Sequence, residues 1–201
     1  MLLPSRRLVL AALATLPVAA AAQAPATVRL RGTIESLSAD KLVLRERSGK
    51  PMELAIAPNL VVTEVFPMTL SDIRPNTFIG AGAMPQPDGT QKAIAVLLFP
   101  EAMRGTGEGH RPFDFLPQST MTNATVSGVA SAADGPRLRV TYPGGEQTIV
   151  VPPEAPVFSL KPGTRDLLVA GARVSLTAQE VNGQPTVTRI SAGRNGFAPP
   201  Y

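Results

Sequence analysis

The chain repeats itself, and this constrains it more than anything else in the sequence. The segment VRLRGTIESLSADKLVLRERSGKPMELAI can be laid on ATVSGVASAADGPRLRVTYPGGEQTIVV about 95 residues later. Gly32 falls on Gly128, Leu42 on Leu138, Leu44 on Val140 and Gly49 on Gly145; one deletion later, Leu54 and Ile56 fall on Ile149 and Val151. The register continues through TLSDIRPNTFIGAGA beside TRDLLVAGARVSLTA, and Asp88-Gly89 meets Asn182-Gly183. Two modules of about 70 residues are the simplest account of this pattern.

Within each module the period is two. Val28, Leu30 and Ile34 alternate with Arg29, Arg31, Thr33 and Glu35, and Ile94, Val96 and Leu98 repeat the pattern. Half-buried strands follow. Asp88-Gly89 and Asn182-Gly183 are hairpin signals, because both central positions of the favoured two-residue turn need positive φ. Gly32 and Gly128, inside otherwise regular first strands, predict a bulge or bend that lets one strand serve two sides of a barrel. Thr69 and Thr164 each stand where a short helical turn would begin. Three strands, a helical turn and two more strands is the OB-type order. The expected fold is therefore all-β: two tandem OB-like five-stranded barrels over 23–99 and 124–193, an irregular connector over 100–123, and a loose tail over 194–201 unless Phe197 or Tyr201 docks.

The first residues, MLLPSRRLVLAALATLPVAAAAQAPA, put Arg6 and Arg7 ahead of an apolar run from Leu8 to Ala22. That pattern predicts an export signal over 1–22 and a location in the periplasm or outside the cell. Ser5-Arg6-Arg7-Leu8-Val9-Leu10 is similar to a twin-arginine signal, with Val9 where that pattern favours phenylalanine, so the export route stays open. There is no cysteine, so stability has to come from buried apolar surface rather than disulfides. Of 19 Lys+Arg, removal of Arg6 and Arg7 leaves 17 against 15 Asp+Glu. A nearly balanced chain argues against nucleic acid as a partner.

Between the modules lies MRGTGEGHRPFDFLPQSTMTNATV, which holds the one histidine of the chain. The module pattern and this segment resemble a group of secreted bacterial proteins built from OB-like domains of unknown function, some of them labelled "metal ABC transporter permease". The resemblance covers essentially the whole chain after the signal; it implies the OB-like fold and no particular activity. The permease label conflicts with the sequence, since several apolar spans of about 20 residues are needed and none is expected after signal cleavage.

The connector is too long for an ordinary hairpin loop. Phe99, Phe113, Phe115 and Leu116 predict that it is pinned to the barrels as a strap, stiffened by Pro112 and Pro117. Its mixed-charge patch of Arg104, Glu108, His110, Arg111, Phe113 and Asp114 is the candidate surface for an unknown protein or small ligand. Two chemical alternatives use the same segment. A metal ion would take His110, Glu108 and Asp114, with Met103 and Met121 as soft ligands for copper(I). A hydrolase would use Ser119 or Thr120 as nucleophile, His110 as base and Asp114 to orient it, although no strained elbow exposes Ser119. Gly105, Gly107 and Gly109 could turn backbone N–H groups toward an anion between Arg104 and Arg111, but they lead into Arg111-Pro112 rather than a helix. The outward residues of the second strands, Lys41, Val43, Arg45 and Arg47 in one module and Arg137, Arg139 and Thr141 in the other, suggest a basic groove without stacking platforms, Tyr142 being in phase with the core positions Leu138 and Val140. The expected function is that of a non-enzymatic binding or scaffold protein with no catalytic residues and no cofactor, a bound metal ion being the alternative.

Overall fold

The computed structural model describes residues 26–133 and 135–201, so the signal expected over 1–22 lies outside the described residues. From the first repeat come β1 (Thr27–Leu37), β2 (Lys41–Glu46), β3 (Pro51–Met68), β4 (Phe78–Pro85) and β5 (Gln91–Leu98). The connector contributes β6 (Gly109–Pro112). The second repeat supplies β7 (Thr120–Ala130), β8 (Arg137–Tyr142), β9 (Gly145–Val150), β10 (Val157–Pro162), β11 (Arg173–Val181) and β12 (Gln184–Gly193). The helical pieces among the described residues are three-residue 3-10 turns at Leu70–Asp72, Glu101–Met103 and Arg165–Leu167. Two of these follow Thr69 and Thr164, as expected. In the first, the Asp72 carboxylate accepts from the Thr69 N–H at 2.8 Å and its hydroxyl at 2.7 Å.

Closure does not follow the repeats. β1 pairs with β2 on one side and with β11 on the other, at Arg31↔Ser175 and Thr33↔Arg173. β3 runs parallel to β12, and β12 is antiparallel to β11. The strands β1, β2, β3, β12 and β11 thus close a barrel, three from the first repeat and two from the second. β4 and β5 go elsewhere: β4 pairs with β7, and the run β5-β4-β7-β8-β9 carries the sheet on, with β9 meeting β5 again at Gln91↔Ile149 and Lys92↔Val150. Segments 23–99 and 124–193 therefore do not each close on themselves, contrary to the tandem arrangement expected. The length of β3 explains the difference. Its 18 residues reach about 60 Å at the usual rise. Its last third, Thr63–Met68, pairs with β10, so the chain has left the barrel before β4 begins.

Proline decides how each third segment is built. In β3, Pro58 lies in a gap in the β12 pairing, between Ile56 and Val61, where its missing N–H costs no ladder bond. In the second repeat, Pro152-Pro153 interrupt the equivalent run, and β9 and β10 are separate strands. The bend expected at Gly128 is present as a register shift between Val126 and Gly128, whereas Gly32 pairs regularly with Glu46 and Val174 and the shift in β1 falls further on, between Ile34 and Ser36. Of the two hairpins, Asn182 and Gly183 both take positive φ as predicted, at 52° and 77°. At the other, only Gly89 does (84°), and the Asp88 carboxylate accepts from Thr90 N–H and hydroxyl, giving a slightly longer loop.

Three apolar clusters hold the sheet together. Leu30, Ile34, Leu42, Leu44, Leu54, Val174, Leu176 and Ile190 fill the closed barrel, with Leu167 of the 3-10 turn and Leu168 just after it against them. Ile79, Val96, Val126, Leu138, Val140 and Ile149 form the second, joined by Ile73 from the other turn. Burial of each such side chain contributes about 1.5–3 kcal/mol. The third, Val65, Ala95, Leu97 and Phe158, sits where β3, β5 and β10 adjoin, with Phe99, Phe197 and Tyr201 packed on it. The tail is therefore docked rather than loose. Buried Glu64 is held there by Lys161 and Arg194, each at 3.2 Å.

Candidate binding surface

The connector is more regular than its sequence indicated. Gly105, Gly107 and Gly109 all take positive φ, which turns the chain back so that β6 lies antiparallel to the start of β7, with Gly109↔Asn123 and Pro112↔Thr120 in register. β7 accordingly begins at Thr120 rather than at residue 124. The loop from Phe113 to Ser119 closes this hairpin. The Ser119 hydroxyl is locked inside the loop, donating toward the Leu116 carbonyl (2.7 Å) and the Phe113 carbonyl (3.1 Å) while accepting from the Leu116 N–H (3.1 Å).

The residues proposed for catalysis are not brought together by hydrogen bonds. His110 Nδ1 is bonded to the Thr122 hydroxyl at 2.8 Å, its ring stacks on Tyr142 at 6.5 Å, and burial pushes its pKa below the ordinary value. Asp114 instead faces β1, 3.1 Å from Arg31 Nη2 and 3.7 Å from Arg29 Nη1. Ser119 serves its own turn. Each member of the suggested triad thus has another hydrogen-bond partner, and the alternative nucleophile Thr120 donates its hydroxyl to Gln91 Oε1 at 2.9 Å.

The metal donors are equally dispersed. Among the described residues, no three of His, Cys, Asp and Glu stand close enough to hold an ion. Met121 is buried, Met103 is half-buried on its 3-10 turn, and Glu108 is exposed. Arg104 is tied to Glu101 (2.6 Å), donates to the Asn76 carbonyl (2.8 Å) and lies over Phe78. Arg111 Nη1 donates to the Gly107 carbonyl at 2.6 Å. The glycine loop thus offers that arginine a carbonyl.

What the fold does assemble is an arginine and aromatic shelf on the outer face of the barrel. In antiparallel pairs, residues in register share a face. Thr33 is in register with Arg45 on β2 and with Arg173 on β11, while the Arg47 N–H reaches the Arg31 carbonyl. These arginines consequently project together. Over them folds the Phe113–Ser119 loop: the Arg31 guanidinium lies 5.4 Å from the centre of Phe115 and 6.0 Å from that of Phe113, and Arg47 lies 5.0 Å from Phe115. Tyr201 completes the aromatic group, with its ring edge-on to Phe113 at 5.2 Å and to Phe158 at 5.6 Å, and its hydroxyl donating to the Gly80 carbonyl. Burial pushes that phenol above its ordinary pKa.

Two clefts flank this shelf and share Arg31, Ser175 and Tyr201 in their walls. One, of about 540 Å³, runs between Arg45, Arg47 and Arg173 and the tail segment from Phe197 to Tyr201. The other, of about 410 Å³, lies between Arg29, Phe99, Arg111, Phe113, Asp114 and Met121. Both volumes fall in the range of small-molecule sites. Of the residues expected to form a contact patch, Arg111, Phe113 and Asp114 line this surface; Arg104, Glu108 and His110 do not.

The sequence reading missed Arg29, Arg31, Arg173 and Tyr201. The signal for the arginines was present, since they alternate with buried residues on β1 and flank Val174 on β11. The aromatic residues they meet are remote in the chain, and a period-two pattern carries no information on which distant loop covers an outward face. No family model, curated protein or solved structure matches the chain.

Proposed function

We propose that this chain is a non-enzymatic binding protein, exported through the leader at 1–22, that takes its ligand or partner on the shelf formed by β1, β2, the Phe113–Ser119 loop and the tail. In this reading the sheet comprises two OB-like barrels that exchange their last two strands, and the connector provides the recognition loop between them. The observation that carries the proposal is the Arg31 guanidinium, flanked by Phe113 and Phe115 and only 17% exposed, at the junction of both clefts. Desolvated arginines beside aromatic rings are typical anchors of recognition surfaces. A catalytic role has no comparable support, because the candidate nucleophile and base have other partners.

The test is a fragment screen read by backbone amide shifts. Bound fragments should move the resonances of Gly32, Arg47, Asp114, Ser175 and Tyr201, and should do so in the presence of chelator. Hits that cluster around His110 and vanish on chelation would overturn the reading in favour of a metal site built from His110, Glu108, Asp114, Met103 and Met121.

A further inference from the structure

We infer that the shelf binds a small organic anion, a carboxylate or phosphate carried on a planar apolar body, and that Asp114 occupies the anion position when no ligand is bound. This rests on the binding role proposed above and specifies its chemistry. Outside the leader the chain carries 17 basic against 15 acidic side chains, yet the walls of the two clefts hold Arg29, Arg31, Arg45, Arg47, Arg111 and Arg173 against only Asp114 and Glu46. Such a local excess in a nearly balanced protein favours an anion. Guanidinium groups select oxygen forks, because their donors match a carboxylate or phosphate in pairs. Phe113, Phe115, Tyr201 and the adjoining Pro199 and Pro200 supply the apolar wall against which a ring or chain would lie.

The bonding of Arg31 gives the anion its position. Its Nη2 meets a single oxygen of Asp114, at 3.1 Å, while its Nε is buried without a hydrogen-bond partner. Asn123 Oδ1 is the other such atom among the described residues, and both belong to walls of the same cleft. A fork-shaped anion engaging Nε and Nη2 together would satisfy the donor that Asp114 leaves unused. Asp114 is half exposed on the Phe113–Ser119 loop, its other cation being the exposed Arg29 at 3.7 Å, and in this proposal it swings outward when the anion displaces it.

Amide-shift titrations with benzoate, phenyl phosphate and the neutral isostere benzamide test this. Benzoate and phenyl phosphate should bind saturably in the clefts, and benzamide at least about tenfold more weakly. Arg31→Gln should lose about tenfold or more, and Arg31→Lys, which keeps the charge but not the fork, most of that. Asp114→Asn should tighten benzoate several-fold by removing the internal competitor. Arg189→Gln, an exposed arginine outside both clefts, should change nothing, and thermal melts of every variant verify folding. Benzamide binding as tightly as benzoate, weaker benzoate binding in Asp114→Asn, or equal losses in Arg189→Gln and Arg31→Gln would each overturn the anion assignment. Neutral fragments entering the clefts while anions do not would sink the ligand class and leave the recognition surface standing. If nothing, charged or neutral, perturbs the clefts, both fall.

Discussion

In the first repeat the third segment is one strand of 18 residues with Pro58 in a gap in its pairing, whereas in the second Pro152-Pro153 cut the same segment into β9 and β10. The pairings made are nonetheless equivalent. β3 holds β2 with its first five residues and runs parallel to β12; β9 holds β8, and β9 and β10 between them run parallel to β5. The far ends of the two segments then pair with each other, Val157↔Met68 through Pro162↔Thr63. Strand continuity is thus not what the repeat preserves. The preserved element is the point at which each chain segment crosses from one half of the sheet to the other, and the second repeat makes that crossing with a short loop where the first uses extended backbone.

The largest test of this comparison is to cut the chain in the connector. Residues 26–104 and 105–201, produced separately, should each lack a cooperative thermal transition, because β1–β3 need β11 and β12, and β7–β9 need β4 and β5. Mixed, they should form a one-to-one complex that melts as the intact protein does. Two independently folded halves would break the exchanged arrangement outright.

Equivalent core positions sharpen the comparison next. Leu42 and Leu138 are 1% and 0% exposed on matching strands, so Leu42→Ala and Leu138→Ala should each cost about 2–5 kcal/mol by chemical denaturation. Because each half of the sheet holds strands from both repeats, both variants should still unfold in one transition. Two resolved transitions in either would mean that the halves are energetically separate.

The paired glycines should differ. A Cβ on Gly32 would collide with the Arg45 carbonyl, in the backbone of the neighbouring strand, whereas a Cβ on Gly128 meets nothing within 4 Å. Gly32→Ala is expected to cost about 1–3 kcal/mol and Gly128→Ala under about 1 kcal/mol. Equal costs would show that the close approach of β2 is not what restricts the first position to glycine.

The smallest effect concerns His110, which has no counterpart in the first repeat. Burial holds its pKa below 6.5, so the folded protein resists the proton more than the unfolded chain does. Its contribution is complete above about pH 6.5 and is lost as the pH falls through the lowered folded value. His110→Gln should flatten the stability profile there; an unchanged profile would mean that other groups set it.

The local rules of the fold were legible because they are written in neighbouring residues: alternation on β1 and β2, the Asn182-Gly183 turn, the threonines before the 3-10 turns. Strand exchange was not, since the pairing preference of β4 for β7 over β1 is a matter of where a long β3 delivers the chain, and both candidates present similar apolar faces. The site divided the same way. Arg45 and Arg47 were legible as an outward row, while the ring beside Arg47 is Phe115 from the connector, and the tail residue Tyr201 lines the same cleft. Phe113 and Asp114 were picked out for being polar or aromatic in a connector, which placed them on the surface without indicating that Arg29 and Arg31 would be their partners.

The exchange of strands also sets an order of assembly. A chain made from its N-terminus has every strand of the β4, β5, β7, β8 and β9 group by residue 150, but β1 cannot find its second neighbour until β11 ends at Val181. Thr27 and Gln179, which pair, are 152 residues apart. The earliest strands are thus the last to be completed, enclosing a group that finishes before them, and long-range closure of this kind slows folding. During that interval the strand edges of β1 and of the first part of β3 have no partner, which makes them the part of the chain most in need of protection until the final strands arrive.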